Sequence, residues 1–254
     1  MDTNKIIGVV GGMGPAAGLD LMRKIIDQTI ASTDQDHLDV ILSSLPGQIE
    51  DRTNFILGKS DTNPAFRVIE ILNKLIDSGA NVLGIPCNTI HAPQIFNIID
   101  ENIKNLHPGL VIINMIEEVI KLILEFYSEK QKIGIISTLG AYQANIYQDY
   151  LKKSGLIPII PDDKFIQEIH LAIYHPAYGI KANSGFTPYS KVILEKTFDH
   201  LLDNNAQIII LGCTEIAMYY SQSSNNSYNL VDSNLILARA LIRECNPEKL
   251  KKYR

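Results

Sequence analysis

The sequence predicts an α/β fold of two similar, pseudo-symmetric lobes, each a short parallel sheet flanked by helices, with the active site between them. Three observations carry this reading. Apolar runs rich in β-branched residues alternate with amphipathic stretches along the whole chain, the order of a βαβ architecture. The apolar runs show no in–out alternation, as expected of strands covered on both faces. And anchors recur at one spacing: Gly8 and Gly134, Gly14 and Gly140, Asp77 and Asp203, Ala80 and Ala206, Cys87 and Cys213 each lie 126 residues apart. A repeat of that length means two half-proteins, not a solenoid of small units.

Taken in order, residues 6–10 read as the first strand, and Pro15 suits the first turn of the helix that follows. Residues 40–45, 82–85 and 111–115 read as further strands of the first half, with helical patterns at 65–77 and 116–126. The second half offers strands at 133–136, 157–160, 208–211 and 229–231, and helices at 142–153, 191–203 and 235–244. The segment Ala80 to Thr89 (ANVLGIPCNT) matches Ala206 to Glu215 (AQIIILGCTE) in pattern. No Gly/Ser-rich or Pro-rich linker separates the halves, so a boundary must fall in a crossover. The expected division is a first lobe of residues 1–116 plus 228–254 and a second of 117–227, with the C-terminal strand and helix returning to the first.

Bulk properties narrow the function classes. Hydrophobic residues make up 46% of the 254 and charged residues 20%, enough apolar material for a true core. A net charge of -5 argues against nucleic acid as partner, because phosphate binding needs a basic face. Lys249, Lys251 and Lys252 cluster near the end, but so short a run reads as a solvated tail. No apolar run approaches the roughly 18 residues that a membrane span needs. A strand pattern starts directly after Asp2, without a signal peptide, so the expected location is cytoplasmic. The three cysteines (Cys87, Cys213, Cys245) are odd in number and far apart, which argues against a disulfide framework.

Cys87 and Cys213 each follow a buried-strand run and precede a polar pair, Asn88-Thr89 and Thr214-Glu215. In open α/β sheets ligands bind beyond the carboxyl ends of the strands, where both cysteines fall. A helix starting at either pair would favour an anion and lower the thiol pKa. A lone cysteine in such a place is more often a small core residue; two at equivalent places in a repeat point to chemistry. Cys245 lacks this context and reads as filler. Two like groups facing one carbon suit racemisation: one removes a proton from one face, the other returns one to the opposite face. The intermediate carbanion then needs donors around the carboxylate.

The chain resembles the aspartate/glutamate racemase family over almost its whole length, its aspartate racemase branch above all. The resemblance rests on Gly11-Gly12-Met13-Gly14-Pro15, Asp34-Gln35-Asp36-His37, Asp51-Arg52-Thr53, Pro86-Cys87-Asn88-Thr89-Ile90-His91, Met115-Ile116-Glu117-Glu118, Gly179-Ile180-Lys181-Ala182 and Gly212-Cys213-Thr214-Glu215. It implies that Cys87 and Cys213 are the catalytic pair. It implies that Asn88, Thr89 and Thr214 bind the α-carboxylate and α-amino groups, helped by Met13 and Gly14. Arg52 and Lys181 match positions that hold a side-chain carboxylate, and Thr138 matches a threonine near the substrate. The chain departs from the family at Leu139-Gly140-Ala141, where Thr-Gly-Thr is common. The resemblance also implies a homodimer, a small acidic amino acid as substrate and no cofactor.

Other readings weigh less. Gly12-x-Gly14 with Gly18 could pass for a dinucleotide fingerprint, but the second strand ends in Ser43 and Ser44 without the acid that holds a ribose. His91 is a lone histidine, as apt to cap or pack as to polarise a site. His170 and His175 have no companions for a metal site. A pyridoxal Schiff base on some lysine is compatible with composition, yet paired thiols make it redundant. The Asp34–His37 tract reads as a turn or subunit contact. Remaining rivals are a dicarboxylate isomerase or decarboxylase on the same scaffold, and a non-catalytic module that binds acidic amino acids.

Overall fold

The computed structural model describes residues 5–220 and 229–253. Two four-stranded sheets, every pairing parallel, form the two lobes. The first has the order β2-β1-β3-β4, with β1 Ile7–Gly11, β2 Val40–Ser44, β3 Val82–Gly84 and β4 Val111–Ile112. The second has the order β6-β5-β7-β8, with β5 Lys132–Ser137, β6 Ile157–Ile159, β7 Ile208–Gly212 and β8 Leu230–Asp232. All eight strands lie where the apolar runs placed them.

The helices of the first half are α1 Pro15–Gln28, α2 Arg52–Ile56, α3 Pro64–Asp77, α4 Pro93–Leu106 and α5 Met115–Phe126. Those of the second are α6 Leu139–Gln143, α7 Ile146–Lys153, α8 Asp163–Tyr174, α9 Ile180–Asn183, α10 Pro188–Asp203, α11 Thr214–Tyr220 and α12 Ser233–Cys245. The single helix expected over 142–153 is broken in two by Asn145, which sits at φ 50. Asn is one of the few residues that take this left-handed conformation at modest cost.

The repeat has a physical cause. Ile7 pairs with Val82 and Gly8 with Leu83; 126 residues on, Ile133 pairs with Ile208 and Gly134 with Ile209. A Cβ at Gly8 would meet the Cβ of Ala80 at 2.8 Å, and one at Gly134 would meet that of Ala206 at 3.0 Å. Two of the five repeated pairs are thus a single contact, a small residue on the central strand against a small residue entering its neighbour.

The halves exchange their last helices. Strand β8 completes the second sheet by pairing with β7, so the expectation that it returns to the first lobe is corrected. Its register on β7 runs from Ile209 with Leu230 to Leu211 with Asp232. The helix after it does return: α12 packs on α1, α5 and β3. Conversely α5, which follows β4, reaches α7 of the second half. Leu237 and Leu241 of α12 are fully buried with Ile7, Val9, Leu21 and Val82, at roughly 1.5–3 kcal/mol per side chain. Polar ties fix the crossing. Asp232 caps α12 by accepting from the amides of Asn234 and Leu235. Its other oxygen meets Lys24 at 2.7 Å, and Lys24 also meets Asp20 at 2.6 Å. The expected boundary between residues 227 and 228 lies outside the described residues. Among the described residues no helix is long and apolar enough to cross a membrane.

Candidate active site

The carboxyl ends of both sheets open on one pocket. It is lined by Met13, Arg52, Cys87, Asn88, Thr89, Thr138, Tyr174, Lys181, Gly212, Cys213, Thr214 and Glu215. About 10 Å³ of space is left inside, room for about one water. Of the residues singled out from sequence, the structure brings together all but Gly14 as lining. Gly14 is one bond away, its amide donating to Glu215 Oε1 at 3.2 Å. A Cβ there would stand 3.0 Å from that oxygen and 3.6 Å from Lys181 Nζ, so any larger residue in the loop after β1 would press on the ion pair.

Each side chain arrives by a short route from a strand. Cys87 ends a tight turn after β3, its amide bonded to the Ile85 carbonyl at 2.8 Å, and is 5% exposed. Cys213 follows β7 directly and is 3% exposed. Thr138 caps α6, accepting from the Ala141 amide at 3.2 Å, and its hydroxyl lies 2.9 Å from that of Thr89. That bond joins the two halves across the pocket. Asn88 is less free than a ligand for substrate should be: its Nδ2 donates to Ser233 Oγ at 3.1 Å and its Oδ1 accepts from Tyr147.

Arg52 opens α2, behind the Asp51 cap, and is buried. Its guanidinium donates at 3.3 Å to the carbonyls of Met13 and Glu50, while its Nε has no hydrogen-bond partner among the described residues. Burial disfavours its charge most strongly, but Cys87, Tyr174 and Asp51 together outweigh burial and raise its pKa. Lys181, on α9, pairs with the Glu215 carboxylate and lies 5.5 Å from the Tyr174 ring centroid. Burial alone would lower its pKa; Glu215, with Tyr174 and Cys213, overrides that and raises it. Burial pushes the Glu215 carboxyl up, but Lys181 and the Cys213 thiol together more than offset it and hold its pKa below the usual carboxylate range.

The thiol of Cys213 donates to Glu215 Oε2 at 3.2 Å. Burial pushes this thiol up, and the Glu215 charge adds to the rise. The lowering expected from a helix start is therefore overridden, although α11 does begin at Thr214. After Cys87 there is only a 3-10 turn over Thr89–His91 before α4. His91 is accordingly not on a long helix. Its Nδ1 donates to the Cys87 carbonyl at 2.8 Å and its Nε2 accepts from the Met115 amide at 3.3 Å. With both nitrogens engaged and the ring stacked on Phe96, burial lowers its pKa from 6.5 to about 4. It is a neutral brace between the cysteine turn and α5.

Tyr174 and the Glu215 contacts went unassigned from sequence. Tyr174 sits in the last turn of α8 and reads like any aromatic on an amphipathic helix; its hydroxyl reaches Thr53 Oγ1 at 3.4 Å. Glu215 stood in plain view, since the 126-residue offset maps it onto Thr89.

Two lobes that each send one cysteine from an equivalent strand end into a shared, cation-bearing pocket define a class of two-lobed racemase-type folds. The chain belongs to the Asp/Glu/Hydantoin racemase family, whose model matches residues 10–241. It is similar to the broad specificity amino-acid racemase RacX of Bacillus subtilis (strain 168), 24% identical over 93% of this chain and 96% of that one. Its fold is similar to the Picrophilus torridus aspartate racemase, with a TM-score of 0.77 and 26% identity, covering 98% of this chain and 96% of that one. Glutamate racemase from Francisella tularensis subsp. tularensis SCHU S4 shares the fold at a TM-score of 0.63 and 17% identity, over 99% and 85% of the two chains. Family and fold together make the chain an enzyme of the amino-acid racemase type.

Proposed function

We propose that the chain racemises an acidic amino acid without a cofactor, preferring aspartate to glutamate, with Cys87 and Cys213 as opposed acid and base. One observation carries this: thiols from equivalent positions of the two halves line a single pocket with Arg52 and Lys181. Two cations suit the distal carboxylate of a short dicarboxylic amino acid, and arginine can hold it with two parallel hydrogen bonds. Similarity to an aspartate racemase supports the same substrate. Entry of any amino acid requires the lining to yield, given the space left. We extend the reading to a cytoplasmic homodimer, which sedimentation of the purified protein checks.

A second reading has an observation of its own. Lys181 is already neutralised by Glu215, which weakens the demand for a second substrate carboxylate and favours a broader range, as in the name of the Bacillus subtilis relative. The deciding measurement is α-proton exchange in heavy water across a panel of amino acids, on protein dialysed against a chelator and treated to trap aldehydes. Aspartate should exchange fastest, then glutamate, with neutral amino acids far behind. Comparable rates on alanine would establish the broader reading. Activity that returns only with metal or pyridoxal phosphate would overturn the cofactor-independent one.

A further inference from the structure

We propose that Glu215 is a positioning residue that makes the two thiols unequal, its carboxylate holding Cys213 as the proton-bearing member of the pair. The inference rests on the racemase reading for its place in the reaction, and on geometry for its substance. Glu215 Oε2 accepts from the Cys213 thiol at 3.2 Å and from Thr214 Oγ1 at 3.3 Å. Its Oε1 accepts from the Gly14 amide at 3.2 Å and pairs with Lys181. Every oxygen of a fully packed carboxylate (residue 6% exposed) is thus engaged, with the ammonium keeping it ionised on one side and the thiol proton on the other.

The pseudo-symmetric partner of Glu215 is Thr89, 126 residues earlier. That hydroxyl is neutral and is spent on Thr138. Cys87 therefore has no carboxylate at the equivalent place, and has the Arg52 guanidinium beside it instead. The other groups facing Cys213 are Lys181 on α9, Tyr142 on α6 and Tyr147 on α7. Of these only Lys181 is cationic, and its charge is already matched by Glu215. A thiolate at Cys213 would sit against a carboxylate; a thiolate at Cys87 sits against a guanidinium.

In the reaction, the Cys87 thiolate takes the α-proton, breaking Cα–H and forming S–H. Cys213 then gives its proton to the opposite face, forming the new Cα–H and keeping the S–H electron pair. One proton enters the substrate and one leaves it. The product state leaves Cys213 as a thiolate beside Glu215, so this sulfur regains a proton before the next turnover in the same direction.

The test reads thiolate by ultraviolet absorbance against pH, corrected for tyrosinate, in protein without substrate. With Cys87→Ser and Cys245→Ser, Cys213 is the lone thiol. Near pH 9, where an ordinary cysteine of pKa about 8.5 is mostly ionised, this protein should show almost no thiolate. Adding Glu215→Gln should raise the thiolate signal by about ten-fold or more, and Glu215→Asp should restore the thiol. The mirror experiment guards against misfolding of the glutamine variant. In a Cys213→Ser, Cys245→Ser background, Thr89→Glu should suppress the Cys87 thiolate by a similar factor. Equal thiolate with and without the carboxylate, in both backgrounds, overturns the proposal. A thiolate shift in these variants, together with a wild-type chain that exchanges no amino-acid α-proton, leaves the proposal standing and removes the racemase reading alone.

Discussion

After β3 the first half carries Cys87, Asn88, Thr89 and then His91; after β7 the second carries Cys213, Thr214, Glu215 and, in the place of the histidine, Ala217. Backbone register is shared to the residue, yet the side chains around the two sulfurs are chemically opposite. Beside the Cys87 sulfur stands a guanidinium, with a neutral imidazole braced on the Cys87 carbonyl behind it. Around Cys213 stands a carboxylate tied to an ammonium. The lesson is that a duplicated scaffold can hold two like groups in mirrored places while local substitutions assign them different resting states. Backbone symmetry sets where the sulfurs are; two or three side chains set what each carries.

The largest break in the comparison is removal of either sulfur. Cys87→Ser and Cys213→Ser should each lower racemisation by about 10²–10⁴-fold or more, the usual worth of a placed acid or base. Any α-proton exchange that survives in heavy water should favour opposite enantiomers in the two variants. Cys245→Ser, whose sulfur donates to the Lys5 carbonyl and does not line the pocket, serves as the silent control. Two cysteine variants that racemise like wild type would reduce the thiols to core filling.

Next in size is the cation on the Cys87 side. Arg52→Ala should cost about 2–5 kcal/mol in kcat/KM on aspartate, because a buried carboxylate loses its partner. The loss should be much smaller on neutral amino acids. If kcat/KM on aspartate is unchanged, Arg52 does not contact substrate.

A third prediction separates the halves by pH. His91 titrates at about 4 when folded and near 6.5 when unfolded. Between those values the unfolded chain binds the extra proton, so stability falls as pH drops from about 6.5 to 4. The depression is worth about 3 kcal/mol over that window. Thermal unfolding of His91→Gln should show a lower Tm at neutral pH and a flatter decline toward pH 4. A parallel decline in both proteins would mean that other groups dominate acid sensitivity.

The smallest effect concerns the paired glycines. A Cβ at Gly140 would stand 2.8 Å from Thr53 Oγ1 and 3.0 Å from its Cα, so it meets backbone. Gly140→Ala should therefore destabilise by about 1–3 kcal/mol through the contact of α6 with α2. Gly14→Ala meets only the ends of Glu215 and Lys181, so its cost in Tm should be lower and its cost in rate higher. Equal shifts in Tm would show that the inter-lobe contact is as pliable as the ion pair.

Much of this was legible in the chain. The eight strands could be read because a strand covered on both faces must be apolar at every position, a signal that needs no partner to be seen. Gly8 with Ala80 and Gly134 with Ala206 could be matched because close strand packing admits only small residues. The sulfurs could be placed because strand ends, not long-range contacts, put them at the pocket. The helix starting at 139 and broken at Asn145, and α4 after the cysteine turn, depended instead on local turn chemistry that periodicity does not report. Only tertiary structure decided the rest. It paired Lys181 with Glu215, bound the Gly14 amide to the same carboxylate, turned Asn88 toward Ser233 and Tyr147, and brought Tyr174 to the cleft. It also sent β8 to one sheet and α12 to the other lobe. The physical reason is range: apolar burial is recorded residue by residue along the chain, whereas a charge or a hydrogen bond takes its meaning from a partner that the fold alone brings within a few ångströms.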